Sequence, residues 1–413
     1  MDRSVLAQTV REQRELFEKA ETWVPRRVPP SFLRTKKITA ITGVRRCGKS
    51  TLLKQLARDF PGYYYLNFED ERLLDFTYRD FNTLYEVWLE HYGEQSTFFF
   101  DEIQNIAGWE KFVRRLFSEG HKIFVTGSNA KLLSSEFATA LTGRHMRLEL
   151  FPFSFRECLQ YHRFPLKTVY TTKERSQLKR HFRTYVAFGG FPEVVKSQDK
   201  NELTQLYQDI LLKDVLLRFK IRDIKSFREL AFFLLSHSAS RISFNNLKRL
   251  LAFKSVTTVK NYIEFLEESY LNFTTPKYDF SLKVQFINDR KIFSIDTGLI
   301  QAVSFAFSEN YGHILENVVF LELKRRGKEV FYHKVARECD FLIREGRTIT
   351  QAIQVTRGLA RLNRERELAG LREAMAAHRL REGIILTEDQ SDELAQRGQR
   401  IRIMPVYQWL LED

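Results

Sequence analysis

The chain has 413 residues, a formal net charge of +14 at pH 7, 43% hydrophobic and 29% charged residues. That balance excludes a disordered or collagen-like chain and predicts about two to four folded domains. No run approaches the roughly 18 apolar residues of a membrane-spanning helix, and three scattered cysteines, Cys47, Cys158 and Cys339, match no disulfide frame or zinc spacing. The opening residues are charged and amphipathic rather than an apolar leader, so a soluble protein in the cytoplasm, with no membrane partner, is expected. The positive charge favours a polyanion, nucleic acid ahead of an acidic protein or lipid; a plain basic surface is the alternative.

Residues 1–30 read as a helix followed by the proline-rich connector WVPRRVPPSF. Residues 31–155 read as an α/β core. KKITAITG, YYYLNFE, STFFFDE and KIFVTGSN are strands separated by helical stretches, which predicts a parallel sheet wrapped by helices. The continuous apolar character of FFF and IFV suits strands buried on both faces.

Between the first strand and the next helix lies Gly43-Val44-Arg45-Arg46-Cys47-Gly48-Lys49-Ser50, followed by Thr51. This is the full Gly-x4-Gly-Lys-Ser phosphate-loop pattern in its confirming context. Glycines let backbone amides turn towards phosphate oxygens, and the helix start adds partial positive charge. Lys49 is expected on the β and γ phosphates of ATP, and Ser50 on Mg2+. Cys47, a thiol at a helix start, is open to a lowered pKa.

Asp101 and Glu102 end the FFF strand, where ligands bind in open α/β sheets. Asp101 is expected in the Mg2+ shell, and Glu102 as the base that polarises water. Asn129, or Ser128, at the tip of the next strand is a candidate to bond that water; a simple Ser-Asn turn is the alternative.

The motifs ITGVRRCGKSTLL, FFFDEIQNI, IFVTGSNAKLL, LTGRHMRLELFPFSF, AFGGFPEVV and KIFSIDTGLI follow one another in this order. In them the chain resembles, over nearly its full length, the AAA-type P-loop ATPases of archaea and bacteria that carry a C-terminal domain of uncharacterised role. The resemblance implies an AAA+ core with a helical lid at residues 156–225. It makes Arg144 of Gly143-Arg144 a candidate arginine finger acting on a neighbour's nucleotide, and hence implies a homo-oligomer, a hexameric ring by family type.

Residues 226–300 contain two short helical patterns, 243–251 and 256–266, joined by a turn. Ser243 is placed to cap the first helix. The pair suits helix-turn-helix geometry and equally a structural hairpin; the resemblance points to a winged-helix-like segment. Lys248, Lys254, Thr257, Lys260 and Asn261 are the candidate DNA contacts.

Residues 301–413 return to mixed helix and strand, and look like a restriction-endonuclease-like α/β domain. That fold's metal site uses Glu, then Asp, then Glu-x-Lys. The matching positions here are Glu316, Asp340 and Gln354-Val355-Thr356, so an amide replaces one acid and a threonine the lysine. Glu316 and Asp340 remain candidates for a second metal, Arg357 or Lys334 for the lysine, and cleavage is expected to be weak or absent. The expected function is an ATP-hydrolysing motor that remodels duplex or branched DNA in repair or recombination. A slow ATP-gated switch that binds DNA or a protein, and an ATP-controlled endonuclease, are the alternatives.

Overall fold

The computed structural model describes residues 1–128, 143–304, 311–396 and 398–412. They separate into a unit of Met1–Phe151 and a unit of Pro152–Asp413.

The first unit is a parallel sheet of β1 (Ile38–Thr42), β2 (Tyr64–Asn67), β3 (Thr97–Asp101), β4 (Lys122–Gly127) and β5 (His145–Glu149) in the order β2-β3-β4-β1-β5. Four of these strands are the expected ones, and β5 closes the edge beside β1. The alternation of strand side chains explains the triple phenylalanine. Phe98 and Phe100 face Trp88 on one side, while Phe99 stacks on Phe124 at 4.8 Å on the other. All three phenylalanines are fully buried, so the carboxylates that follow them stand at a rigid strand end. The first helix, α1 (Arg3–Glu18), belongs to the same unit: Leu6 and Val10 join its core, and Gln13 bonds both backbone groups of Asn67. Helix α2 (Lys49–Ala57) follows the phosphate loop, α3 (Phe81–Tyr92) supplies Trp88, and α4 (Trp109–Ser118) precedes β4.

The second unit begins with helices α5 (Phe155–Tyr161), α6 (Thr172–Phe188), α7 (Pro192–Ser197) and α8 (Lys200–Asp209), a π-helical turn at Ile210–Leu216, and α9 (Ile224–Ser236). Next come β6 (Arg241–Ile242), α10 (Phe244–Leu250), α11 (Val256–Glu268), β7 (Asn272–Pro276), α12 (Leu282–Ile287) and β8 (Arg290–Ser294). The three strands form an antiparallel sheet in the order β6-β8-β7. Ser243 is the N-cap residue of α10, as expected, but its side chain makes no capping bond; Ser255 caps α11, accepting the Thr258 N–H at 3.0 Å.

Two motifs behind the resemblance prove to be one structural joint. Asp296 opens α13 (Thr297–Val303) by accepting the Leu299 N–H, and it also accepts the Gly190 N–H at 2.7 Å. A Cβ on Gly189 would lie 1.9 Å from that carboxylate, so AFGGFPEVV must be bare of side chains where SIDTGLI meets it.

The C-terminal part is a six-stranded mixed sheet in the order β13-β14-β12-β11-β10-β9. It comprises β9 (Glu329–Lys334), β10 (Glu338–Glu345), β11 (Thr348–Val355), β12 (Glu382–Thr387), β13 (Asp392–Gln396) and β14 (Gln399–Pro405). Helix α14 (Tyr311–Arg325) precedes the sheet, and α15 (Arg364–Ala377) packs Leu368, Leu371 and Met375 into its core. Pairing of β10 with β9 shifts register between Cys339 and Leu342, which re-aims the backbone at Asp340.

Candidate functional site

The phosphate loop connects β1 to α2. Gly43 has no room for a side chain, because a Cβ would meet the Leu150 carbonyl at 2.1 Å. Gly48 adopts φ 100°, a left-handed conformation that starts the helix. Lys49 is 5% exposed. Its ammonium donates to the carbonyls of Gly43 at 3.2 Å and Val44 at 3.3 Å, and lies 3.3 Å from Glu102. Burial opposes the charge, but Glu102 and Asp101 more than offset it, and the lysine pKa rises above its ordinary value. Cys47 is fully buried. Burial pushes its thiol up despite nearby Lys49 and Arg26, so the lowered pKa open to a thiol at a helix start is not realised and Cys47 reads as a small buried residue of the loop.

Asp101 is completely buried at the end of β3. It accepts hydrogen bonds from the hydroxyls of Ser50 and Thr126. Burial, with the charge of Glu102, raises its pKa to about 6 against the pull of those bonds and of Lys49. Glu102 has φ 49°, a left-handed conformation costly for a glutamate and common at working sites. Its N–H donates to Thr126 Oγ1 at 2.8 Å, and Gln104 donates to its carboxylate. Burial would raise its pKa, but the Lys49 charge and the Gln104 bond hold it below the ordinary value. The fold thus brings Lys49, Ser50, Asp101 and Glu102 to one strand end. Thr126, which positions both acids, escaped the sequence reading; its only signal is a polar residue facing in from an apolar strand. Ser128 is buried beyond it, and Asn129 lies outside the described residues.

Arg144 stands elsewhere. It is exposed, its carbonyl accepts the Ile38 N–H at 2.9 Å, and its guanidinium lies 5.9 Å from the Phe117 ring. Ile38 opens β1, whereas the phosphate loop leaves its far end at Thr42, about 13 Å away at strand spacing. Arg144 therefore points away from the nucleotide site of its own chain.

The DNA candidates gather on one module. Lys254, Thr257, Lys260 and Asn261 are exposed at the start of α11, while Lys248 on α10 is half-buried. The Lys260 ammonium lies 5.5 Å from the Phe244 ring.

In the second unit Glu316, Asp340, Gln354 and Thr356 do come together, around a cavity of about 500 Å3. The cation among them is one the sequence reading missed. Lys291 of β8 is 2% exposed, and its ammonium lies 2.7 Å from Glu316, 2.8 Å from Asp340 and 3.0 Å from Glu338. Lys334 reaches the cavity rim, 3.9 Å from Glu338, whereas Arg357 pairs with Glu388 and does not line the cavity.

Comparisons with known proteins agree with the first unit. Residues 35–159 match the family model described as AAA domain, and residues 179–310 match a domain of unknown function (DUF8612). The chain is 37% identical to an uncharacterized protein of Methanocaldococcus jannaschii, covering 91% of this chain and 88% of that one. It is 32% identical to an uncharacterized protein of Haemophilus influenzae, covering 76% of this chain and 81% of that one. Among solved structures, the replication initiator DnaA bound to AMPPCP and single-stranded DNA overlaps 58% of this chain and 85% of its own, with 16% identity and a TM-score of 0.26. The chain belongs to the family of the Methanocaldococcus and Haemophilus proteins, and its residues 35–159 form an AAA domain.

Proposed function

We propose that this protein binds ATP with Mg2+ at Gly43–Thr51, hydrolyses it, and acts as an oligomer on DNA. The observation that carries the reading is the meeting of Lys49, Ser50, Asp101 and Glu102 at one strand end, Lys49 against Glu102, Ser50 against Asp101, and the two acids joined by Thr126. A hydroxyl beside a buried carboxylate suits a hard cation, so Ser50 and Asp101 would hold Mg2+, which offsets phosphate charge when bound. Lys49 would leave Glu102 for the β and γ phosphates. Glu102, freed of the Lys49 charge that holds its pKa down, would become the stronger base and accept the proton of the attacking water.

Arg144, turned away from its own site, suits a finger offered to a neighbouring subunit, in a ring whose size we take as six. Arg144→Ala alone should be inactive, and mixing it with Lys49→Ala subunits should restore turnover. Full activity of the single variant would end the trans assignment.

The DNA reading rests on the net charge of +14 and on the exposed start of α11. The order helix, strand, two helices, then two strands joined through the short α12, around the β6-β8-β7 sheet, supports a winged-helix-like module. The test is ATPase turnover with duplex, single-stranded, forked and four-way DNA at stated salt. Stimulation by one of these, with movement of a junction, is expected for a DNA-remodelling motor of repair or recombination. A rate indifferent to all of them would sink the motor. It would leave the slow ATP-gated switch, which one observation favours: Lys49 neutralises the base Glu102 before nucleotide arrives.

A further inference from the structure

The acid-lined cavity of the second unit has the residue types of a metal site, and its donor set argues against one. Among the described residues no group of three or more histidines, cysteines or acids is arranged to hold a metal ion. The reason is visible atom by atom. All three ammonium protons of Lys291 have carboxylate acceptors within 3.0 Å, on Glu316, Glu338 and Asp340. The second oxygen of Asp340 accepts the Val355 N–H at 2.9 Å. The Gln354 carbonyl accepts the Asp340 N–H at 3.3 Å, and its amide nitrogen donates to Glu367 at 2.7 Å. The neutral oxygen that might have replaced a missing acid is thus turned to the backbone.

Lys291 is turned away from open water. It is held in the sheet between Arg241 and Thr275, and it is 2% exposed. Burial works against its charge, yet the surrounding acids keep its pKa well above the ordinary lysine value. A divalent ion needs carboxylate oxygens near 2.0–2.6 Å, and the same oxygens here already converge on a fixed positive charge.

We propose that the Lys291 ammonium is the resident cation of this cavity, standing where a divalent metal would otherwise bind, so that the cavity holds no catalytic metal. The inference is independent of the nucleotide site. It replaces Glu316 and Asp340 as metal ligands with Glu316 and Asp340 as ligands of a lysine.

The experiment titrates the full-length chain carrying Lys49→Ala with Mn2+ in the absence of nucleotide, reading bound ion by electron paramagnetic resonance. The expected parent shows no site that depends on Asp340. Adding Lys291→Met vacates the centre of three acids, and it should create one submillimolar Mn2+ site per chain that Asp340→Asn removes. Where Lys291→Met is too unstable to stay folded, its melting temperature is read with and without Mn2+. A site that binds only the folded chain raises it, by about 5 °C or more at saturating ion. A parent site abolished by Asp340→Asn would overturn the proposal. So would a folded Lys291→Met chain that binds no Mn2+, or an unstable one whose melting temperature Mn2+ does not raise.

Discussion

Each unit buries a lysine against carboxylates, and the two lysines are held to opposite effect. Lys49 faces one glutamate at 3.3 Å and two backbone carbonyls. Lys291 faces three carboxylates at 2.7 to 3.0 Å. A single long ion pair beside an amide-lined loop is easily exchanged for phosphate oxygens. Three short pairs around one buried ammonium are not, because any ligand would have to compensate several desolvated charges at once. The same residue type therefore serves as a movable contact in one place and a fixed counter-ion in the other.

The largest expected effect separates chemistry from binding at the first lysine's partner. Glu102→Gln should lower ATP turnover by roughly 10²–10⁴-fold, the usual range for loss of a general base. Nucleotide affinity, read by calorimetry, should stay the same or tighten, since Lys49 no longer has an ionic partner to leave. Normal turnover would remove Glu102 from the chemistry. Next in size is a contrast in stability. Lys291→Ala strands three acids and should cost about 3–5 kcal/mol in denaturant unfolding. Lys49→Ala strands one, which keeps its bond from Gln104, and should cost about 1–2 kcal/mol. Equal losses would erase the distinction between the two lysines. Lys49→Ala should instead weaken ATP binding by roughly 100-fold, as expected for charge-assisted bonds to phosphate.

The sequence revealed the two sites unequally, for a physical reason. Phosphate binding uses backbone amides, which demand glycines at set spacing, and contiguous residues supply nearly all of the pocket. The strand, loop and helix around Gly43–Thr51, and the acids after Phe100, were therefore readable in one dimension. The second cavity draws Lys291, Glu316, Asp340 and Gln354 from four separate elements. Its lysine sits on a strand of a different sheet, where it reads as an ordinary strand-edge cation. The substitution of Thr356 at the expected lysine position was legible; the residue that supplies a cation instead was not. Likewise Thr126 and Asp296 act through bonds to partners 25 and 106 residues away, which no local pattern encodes.

A smaller effect follows from Asp101. Its carboxyl has a pKa of about 6, so it carries a proton below that pH and its negative charge above it. Lys49, raised from its ordinary value, stays charged throughout. Affinity for Mg2+-nucleotide should be flat above pH 7 and fall by about tenfold per unit as pH drops below 6. Nucleotide without Mg2+ should not show the fall. Asp101→Asn should flatten the profile at the weak, acid-side level. A profile that stays flat to pH 5 would place Asp101 outside the cation shell.

The smallest effect tests the DNA face. Lys254 and Lys260 stand exposed beside Thr257 and Asn261, whereas Lys248 is half-buried. Exposed lysines gain their DNA affinity largely by releasing counter-ions from phosphates. Lys254→Ala and Lys260→Ala should each lower the slope of log affinity against log salt by about 1, and weaken all duplex sequences alike. Asn261→Ala should leave the slope unchanged, because it removes no charge; a selective loss on some sequences would mark it as a base contact. Lys248→Ala should do least of all. If the three lysine variants share the parent's slope, the basic charge of the chain meets its partner on another surface, and α11 is only part of a helical hairpin.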